Sequence, residues 1–178
     1  YKGEKQLAAA PGSLPSSERA KLTMQTLGNA ARIKTFSRDG QTTDSAPSMA
    51  AYMTGVKMNN EVISMSADTL AYKPDGTQFI NGEDTTSAAT GNGTAATTLL
   101  ELAKAKGRAV GAVSTTRVGH ATPAATYAHI CNRNAYNTIA EQSVPGHPRY
   151  NAALGDGIDV VMGGGQRNSL PLSTYPAS

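Results

Sequence analysis

The string Ala109-Val110-Gly111-Ala112-Val113-Ser114 restricts the fold more than any other part of this chain. Its residues are small and largely apolar, a pattern suited to a strand covered on both faces, as parallel strands are. It follows an amphipathic helix expected over 94–106, with Leu99, Leu102 and Ala103 on one stripe and Gly107 as its stop. A second helix is expected over 121–130, with Pro123 in its first turn. A further strand, Ile158-Asp159-Val160-Val161-Met162, then runs into Gly163-Gly164-Gly165. Strands alternating with helices predict an α/β class with a doubly wound, mostly parallel sheet and helices on both faces.

Upstream, the signals are weaker. Residues 1–31 read as a connector with short helices near 4–10 and 18–27. The alternation in Arg32-Ile33-Lys34-Thr35-Phe36-Ser37 predicts a strand ending at Arg38-Asp39-Gly40. Asp44 or Ser45 as N-cap, Pro47 in the first turn and Gly55 at the exit predict a helix over 46–54. Residues 64–95 turn polar and read as a variable excursion, with Pro74-Asp75-Gly76 as a turn between 69–72 and 77–80. The four parts, 1–31, 32–63, 64–95 and 96–178, are expected to form one partial domain.

Composition narrows the function classes. Sixteen Lys and Arg against thirteen Asp and Glu leave a net charge of +3. The basic residues are interleaved with others rather than clustered, so a dedicated nucleic-acid surface is not expected. No apolar run is long enough to span a membrane, and the chain does not open on a basic start followed by an apolar run, so neither a span nor a signal peptide is expected in it. With Cys131 as the sole cysteine, an internal disulfide and a Cys-rich zinc cage are excluded. Only 5% of residues are aromatic, so Ala, Ser, Thr and Gly must supply much of the interior.

Three positions can carry chemistry. Ser45 lies at a helix mouth beside Asp44, where unpaired N–H groups favour an alkoxide or a phosphate, although both residues are also ordinary N-caps. His120 and Thr122 follow the small-residue strand and can share a ligand or metal, or simply cap and pack. Arg133 can hold an oxyanion with its planar fork, or lie at a helix C-terminus. The run 163–165 lacks both phosphate-loop frames and reads as a strand-exit turn.

The strings TTDSAPSMAAYMTGVK, TLLELAKAKGRAVGAVSTTRVGHATPAATYAHICNR and DVVMGGGQ closely resemble the alkaline phosphatases, zinc- and magnesium-dependent phosphomonoesterases. The resemblance spans roughly 40–165 and is thinnest over 64–95. It implies that Ser45 is the nucleophile that carries a phosphoseryl intermediate and also a metal ligand. It further implies that Arg133 grips phosphate oxygens, that Asp44 orients Arg133, and that Thr122 and His120 belong to a third metal site. Some members of the family have aspartate where His120 stands, and an imidazole there favours softer metals such as zinc or cobalt. His129 and His147 do not align with the family's zinc ligands.

The family's opening aspartate motif and its later carboxylate and histidine ligands have no counterpart here, so the chain is expected to be an internal piece of a longer phosphatase. Such a piece is expected to be inactive alone and poorly stable, with its small-residue strand exposed. Phosphomonoesters and inorganic phosphate are the expected partners, and the parent protein is expected to be an exported, periplasmic or secreted homodimer. Two other readings stay open: a related sulfatase or phosphodiesterase, and a non-catalytic α/β module that retains an anion pocket.

Overall fold

The computed structural model describes residues 23–29, 31, 33–80 and 91–169. It divides into two units, 1–34 and 35–178. In the first, the described regular structure is one 3-10 turn, Thr23–Thr26, in which the Thr26 hydroxyl donates to the Thr23 carbonyl at 2.7 Å. The helix expected near 4–10 lies outside the described residues, as does the first half of that expected over 18–27.

The second unit contains five α-helices and two strands among the described residues: α1 (Ser45–Thr54), α2 (Leu99–Ala105), β1 (Gly111–Arg117), α3 (Ala121–Ala124), α4 (Tyr136–Glu141), β2 (Val160–Gly164) and α5 (Gln166–Ser169). A 3-10 turn, Ala152–Leu154, precedes β2. β1 and β2 pair in parallel, with Gly111 opposite Val160 and Val113 opposite Met162, and the register shifts before Arg117 meets Gly164. The class is therefore α/β with a parallel sheet, as the alternation predicts.

α1 begins and ends where its caps require. Asp44 is extended and accepts from the Ala46 N–H at 2.5 Å, while Gly55 adopts the left-handed conformation (φ 74°) and closes onto the Ala51 carbonyl. Ala46, Pro47 and Ala50 are buried, and their small size lets α1 pack closely on α3, whose Ala121 and Ala124 are also buried. Around this small-residue seam, Met58, Val62, Ile63, Met65, Tyr127, Ile130, Ile139 and Leu154 complete the core. α2 has a reciprocal capping box: the Glu101 N–H donates to Thr98 Oγ1 at 3.2 Å and the Thr98 N–H to Glu101 Oε2 at 2.7 Å.

Several sequence expectations shift on this scaffold. No strand forms over 33–37, because the Ser37 hydroxyl donates to Asp39 and the Gly40 carbonyl and curls the chain into a turn. The excursion does turn at Asp75-Gly76, but its arms share one bridge, Tyr72 with Gln78. α2 starts only at Leu99, and its buried residues are Leu100 and Glu101; Leu99 and Leu102 are 60% and 54% exposed. The expected stripe is thus rotated, because Glu101 is drawn inward by polar partners. β1 starts at Gly111, and only Ala112 is buried; among the described residues it pairs with β2 alone, and Val113 is 69% exposed.

The helix expected over 121–130 stops at Ala124. The chain keeps turning to Ala128, whose N–H donates to the Ala124 carbonyl at 2.8 Å, and then opens so that Ile130 can bridge Ile63, each N–H donating to the other's carbonyl at 2.9 and 3.0 Å. Two glycines of the 163–165 run lie inside β2 rather than in an exit turn. A Cβ on Gly163 would fall 2.8 Å from both the Thr116 carbonyl oxygen and Val118 Cγ1, so the strands approach here only because that atom is missing.

Candidate active site

Three segments distant in sequence deliver the candidate residues to one place. The N-terminus of α1 brings Asp44 and Ser45, the start of α3 brings His120, and the turn between Ile130 and α4 brings Arg133. Arg133 Nη1 donates to Asp44 Oδ1 at 3.0 Å and to Ser45 Oγ at 2.8 Å. Its Nη2 lies 3.1 Å from His120 Nε2. Sequence spacing alone leaves Arg133 without a local carboxylate; the fold supplies one 89 positions away. The alternative placement of Arg133 at a helix C-terminus does not occur, since α3 ends well before it.

Asp44 is held from several sides. Its Oδ1 also accepts from the Ala46 N–H, its Oδ2 accepts from the Glu61 N–H at 2.6 Å, and its own N–H donates to Asn60 Oδ1 at 3.2 Å. The carboxylate therefore caps α1 and orients the guanidinium at once. Glu61 and Asn60 were not legible as site residues, because they act here mainly through backbone and amide groups. Glu61 has φ 68°, a conformation costly for a side chain larger than glycine. Burial, followed by the nearby Asp44 charge, pushes the Glu61 carboxyl above its usual range, with Arg133 opposing.

Hydrogen-bond chemistry settles the state of His120. A guanidinium can only donate, so Nε2 must accept and a neutral ring carries its proton on Nδ1. Burial, then the charges of Arg133 and Arg117, holds the ring below the ordinary histidine pKa, which favours this neutral form. Nδ1 is buried without a hydrogen-bond partner, an expensive state for a polar atom. Thr122, the other residue expected at a third metal, is exposed on the first turn of α3. With its proton on Nδ1 and Nε2 turned to Arg133, the ring would have to give up the Nδ1 proton before that nitrogen could bind a metal. Among the described residues no group of three or more His, Cys, Asp or Glu comes together, so they do not make up a zinc pair's cage.

A serine at a helix mouth, an arginine fork bonded to it and a carboxylate that orients the fork thus come together on an α/β scaffold. The alkaline phosphatase family model matches residues 8–177, and the chain belongs to that family. It is 32% identical over 183 residues to an alkaline phosphatase of Gadus morhua, covering 95% of this chain and 33% of the relative. It is 33% identical over 168 residues to the human tissue-nonspecific isozyme, covering 86% and 28% respectively.

Among solved structures, alkaline phosphatase from the Antarctic bacterium TAB5 superposes with a TM-score of 0.58 at 25% identity, covering 86% of this chain and 35% of that one. A variant of that enzyme with Mg bound in its M3 site superposes at 0.59 and 22% identity, a likeness of fold. The chain spans about a third of the length of the curated relatives it matches.

Proposed function

We propose that this chain carries the nucleophile and phosphate-binding half of a phosphomonoesterase that works through a phosphoserine intermediate on Ser45. The observation that supports this most directly is the 2.8 Å hydrogen bond between Arg133 Nη1 and Ser45 Oγ, with Asp44 holding the same nitrogen. The guanidinium donates to Asp44, Ser45 and His120; a phosphate bound at Ser45 would take over the donors now turned to Ser45 and His120, while Asp44 keeps the fork in place.

Ser45 Oγ forms the bond to phosphorus as the ester oxygen leaves with the electron pair and gains a proton. Water then attacks the phosphoserine, restoring the hydroxyl and releasing inorganic phosphate. Arg133 holds two non-transferring oxygens, and the N-terminus of α1 favours negative charge at Oγ. Zinc and magnesium are the proposed cofactors, with His120 and Thr122 as donors to one metal and Ser45 as a further ligand. A bound metal supplies Lewis-acid stabilisation and eases ionisation of the serine hydroxyl. Small phosphomonoesters are the proposed substrates. The full protein is proposed to be an exported homodimer; among the described residues no helix is long and apolar enough to cross a membrane.

The test is Ser45→Ala in the whole protein, assayed on an aryl phosphate with zinc and magnesium added and then chelated. Loss of both turnover and the trapped phosphoserine supports the reading. Phosphoserine trapping that survives the substitution overturns it. Phosphate binding by the native protein without turnover assigns it instead as an anion-binding module.

A further inference from the structure

We infer that His129 is a positioning residue for the phosphate site: its ring fixes the segment on which Arg133 sits. The inference rests on the reading of Arg133 as the phosphate-binding group, but it concerns residues that do not touch the anion. His129 is 7% exposed and its partner Glu101 is 4% exposed. Nδ1 lies 2.7 Å from the Ser64 carbonyl oxygen, which can only accept, so Nδ1 donates. Nε2 lies 2.7 Å from Glu101 Oε1. That same oxygen accepts from Asn151 Nδ2 at 2.6 Å, and Oε2 accepts from the Thr98 N–H at 2.7 Å. Glu101 thus bonds to Asn151 and the Thr98 backbone while it faces Nε2 of the ring.

The backbone links this pair to the site. The Gln142 side chain clamps the His129 N–H and carbonyl, each at 2.8 Å. Ile130 next pairs in both directions with Ile63, and the Arg133 N–H donates to the Glu61 carbonyl at 2.8 Å. Residues 61–64 and 129–133 thus run as two bonded rails. At one end Glu61 bonds to both Asp44 and the Arg133 backbone. At the other, Ser64 accepts from His129 and from the Ala96 N–H at 2.9 Å, while its hydroxyl donates to the Ala125 carbonyl at 2.7 Å.

Both end residues, Glu61 (φ 68°) and Ser64 (φ 48°), adopt left-handed conformations without being glycine. Such strain persists only where surrounding contacts over-determine the backbone. Beside the bonds of Ser64 to Ala96 and Ala125, the ring of His129 is the side chain that ties the Ser64 end to the rail carrying Arg133. Releasing it lets that end relax and carries Arg133 away from Asp44.

Two substitutions separate positioning from plain stability. His129→Asn keeps a donor where Nδ1 stands, facing Ser64, and gives up the link to Glu101. His129→Gln keeps the donor toward Glu101 and removes the ring's bond to the Ser64 carbonyl, which retains the one from the Ala96 N–H. The readout is the 1H–15N NMR signal of the Arg133 side chain in the full chain, recorded well below each melting transition, followed by titration with inorganic phosphate. His129→Gln is expected to move or broaden the Arg133 signal and weaken phosphate binding at least threefold; His129→Asn is expected to melt earlier yet leave both near native.

A folded His129→Gln variant with an unchanged Arg133 signal overturns the inference. Should that variant not fold, 15N shifts of the native His129 ring decide: a ring without a proton on Nδ1 overturns it, and a slowly exchanging Nδ1–H supports it. If His129→Gln moves Arg133 but phosphate leaves the native Arg133 signal untouched, the positioning role stands and the phosphate reading fails.

Discussion

Arg133 donates to Asp44 at 3.0 Å across 89 positions of sequence, and the same Asp44 oxygen accepts from the first turn of α1. One carboxylate therefore sets both the helix that presents Ser45 and the fork that faces it. Removing either partner changes more than a salt bridge: the side chain that stays behind loses the geometry the other imposed.

Arg133→Ala is expected to weaken inorganic phosphate binding by about 10- to 100-fold, since charge-assisted hydrogen bonds contribute about 1.5–3 kcal/mol each. Arg133→Lys is expected to recover little of this, because a point charge cannot bond Asp44 and two phosphate oxygens with a planar fork. Titration calorimetry with inorganic phosphate checks both; an unchanged affinity in Arg133→Ala assigns the arginine to structure alone.

Glu61 offers a test in the opposite direction. Its φ of 68° costs a non-glycine residue on the order of 1 kcal/mol, while its site contacts run through its N–H and carbonyl. Glu61→Gly is expected to keep those bonds, relieve the strain and remove a negative charge close to Asp44 and Arg133. Denaturant unfolding should show equal or greater stability, and phosphate affinity should rise. A variant that is both less stable and weaker in phosphate binding contradicts this.

The elements legible in sequence were those written by local chemistry. Asp44 and Gly55 bracket α1 as their capping roles require, and the Val160–Met162 run pairs in parallel with the small-residue strand. The Ser45, Asp44 and Arg133 cluster was legible only through resemblance to a family, because no periodicity links positions 89 apart. What stayed hidden depends on long-range bonds. Nothing near Glu101 announces that its carboxylate turns inward to His129 and so rotates α2, leaving Leu99 and Leu102 outside. Nothing in Thr126 or Tyr127 announces that the helix must end early for Ile130 to reach Ile63.

That inward carboxylate gives the fold a defined response to acid. Burial alone raises the Glu101 pKa, but the bonds and charge of His129, with Asn151 and the Thr98 N–H, outweigh it and hold the group down to about 2 from 4.5. A depressed folded pKa contributes stability that is fully present above about 4.5 and is lost as pH falls toward about 2. Glu101→Gln is expected to cost on the order of 3 kcal/mol near neutrality, as breaking a buried pair does, and to flatten the acid limb between those values. Urea unfolding from pH 6 to pH 2.5 measures it; parallel acid limbs for native and variant proteins would place the dependence elsewhere.

The contact between β2 and β1 yields the last expectation. Gly163 faces the Thr116 carbonyl and Val118 Cγ1 so closely that an added Cβ would lie 2.8 Å from each, and a carbonyl within a strand has little room to withdraw. Gly163→Ala is expected to cost about 1–3 kcal/mol through overpacking, and to shift β2 along the region where its register with β1 is already irregular. Gly164→Ala is the matched control, since its nearest neighbour, the Thr116 carbonyl oxygen, would be at 3.6 Å, an ordinary contact. Thermal melting should fall for the first and hold for the second. Equal melting temperatures would mean that the strands separate at this point without cost, and that the sheet is held instead by the pairs from Gly111 to Val113.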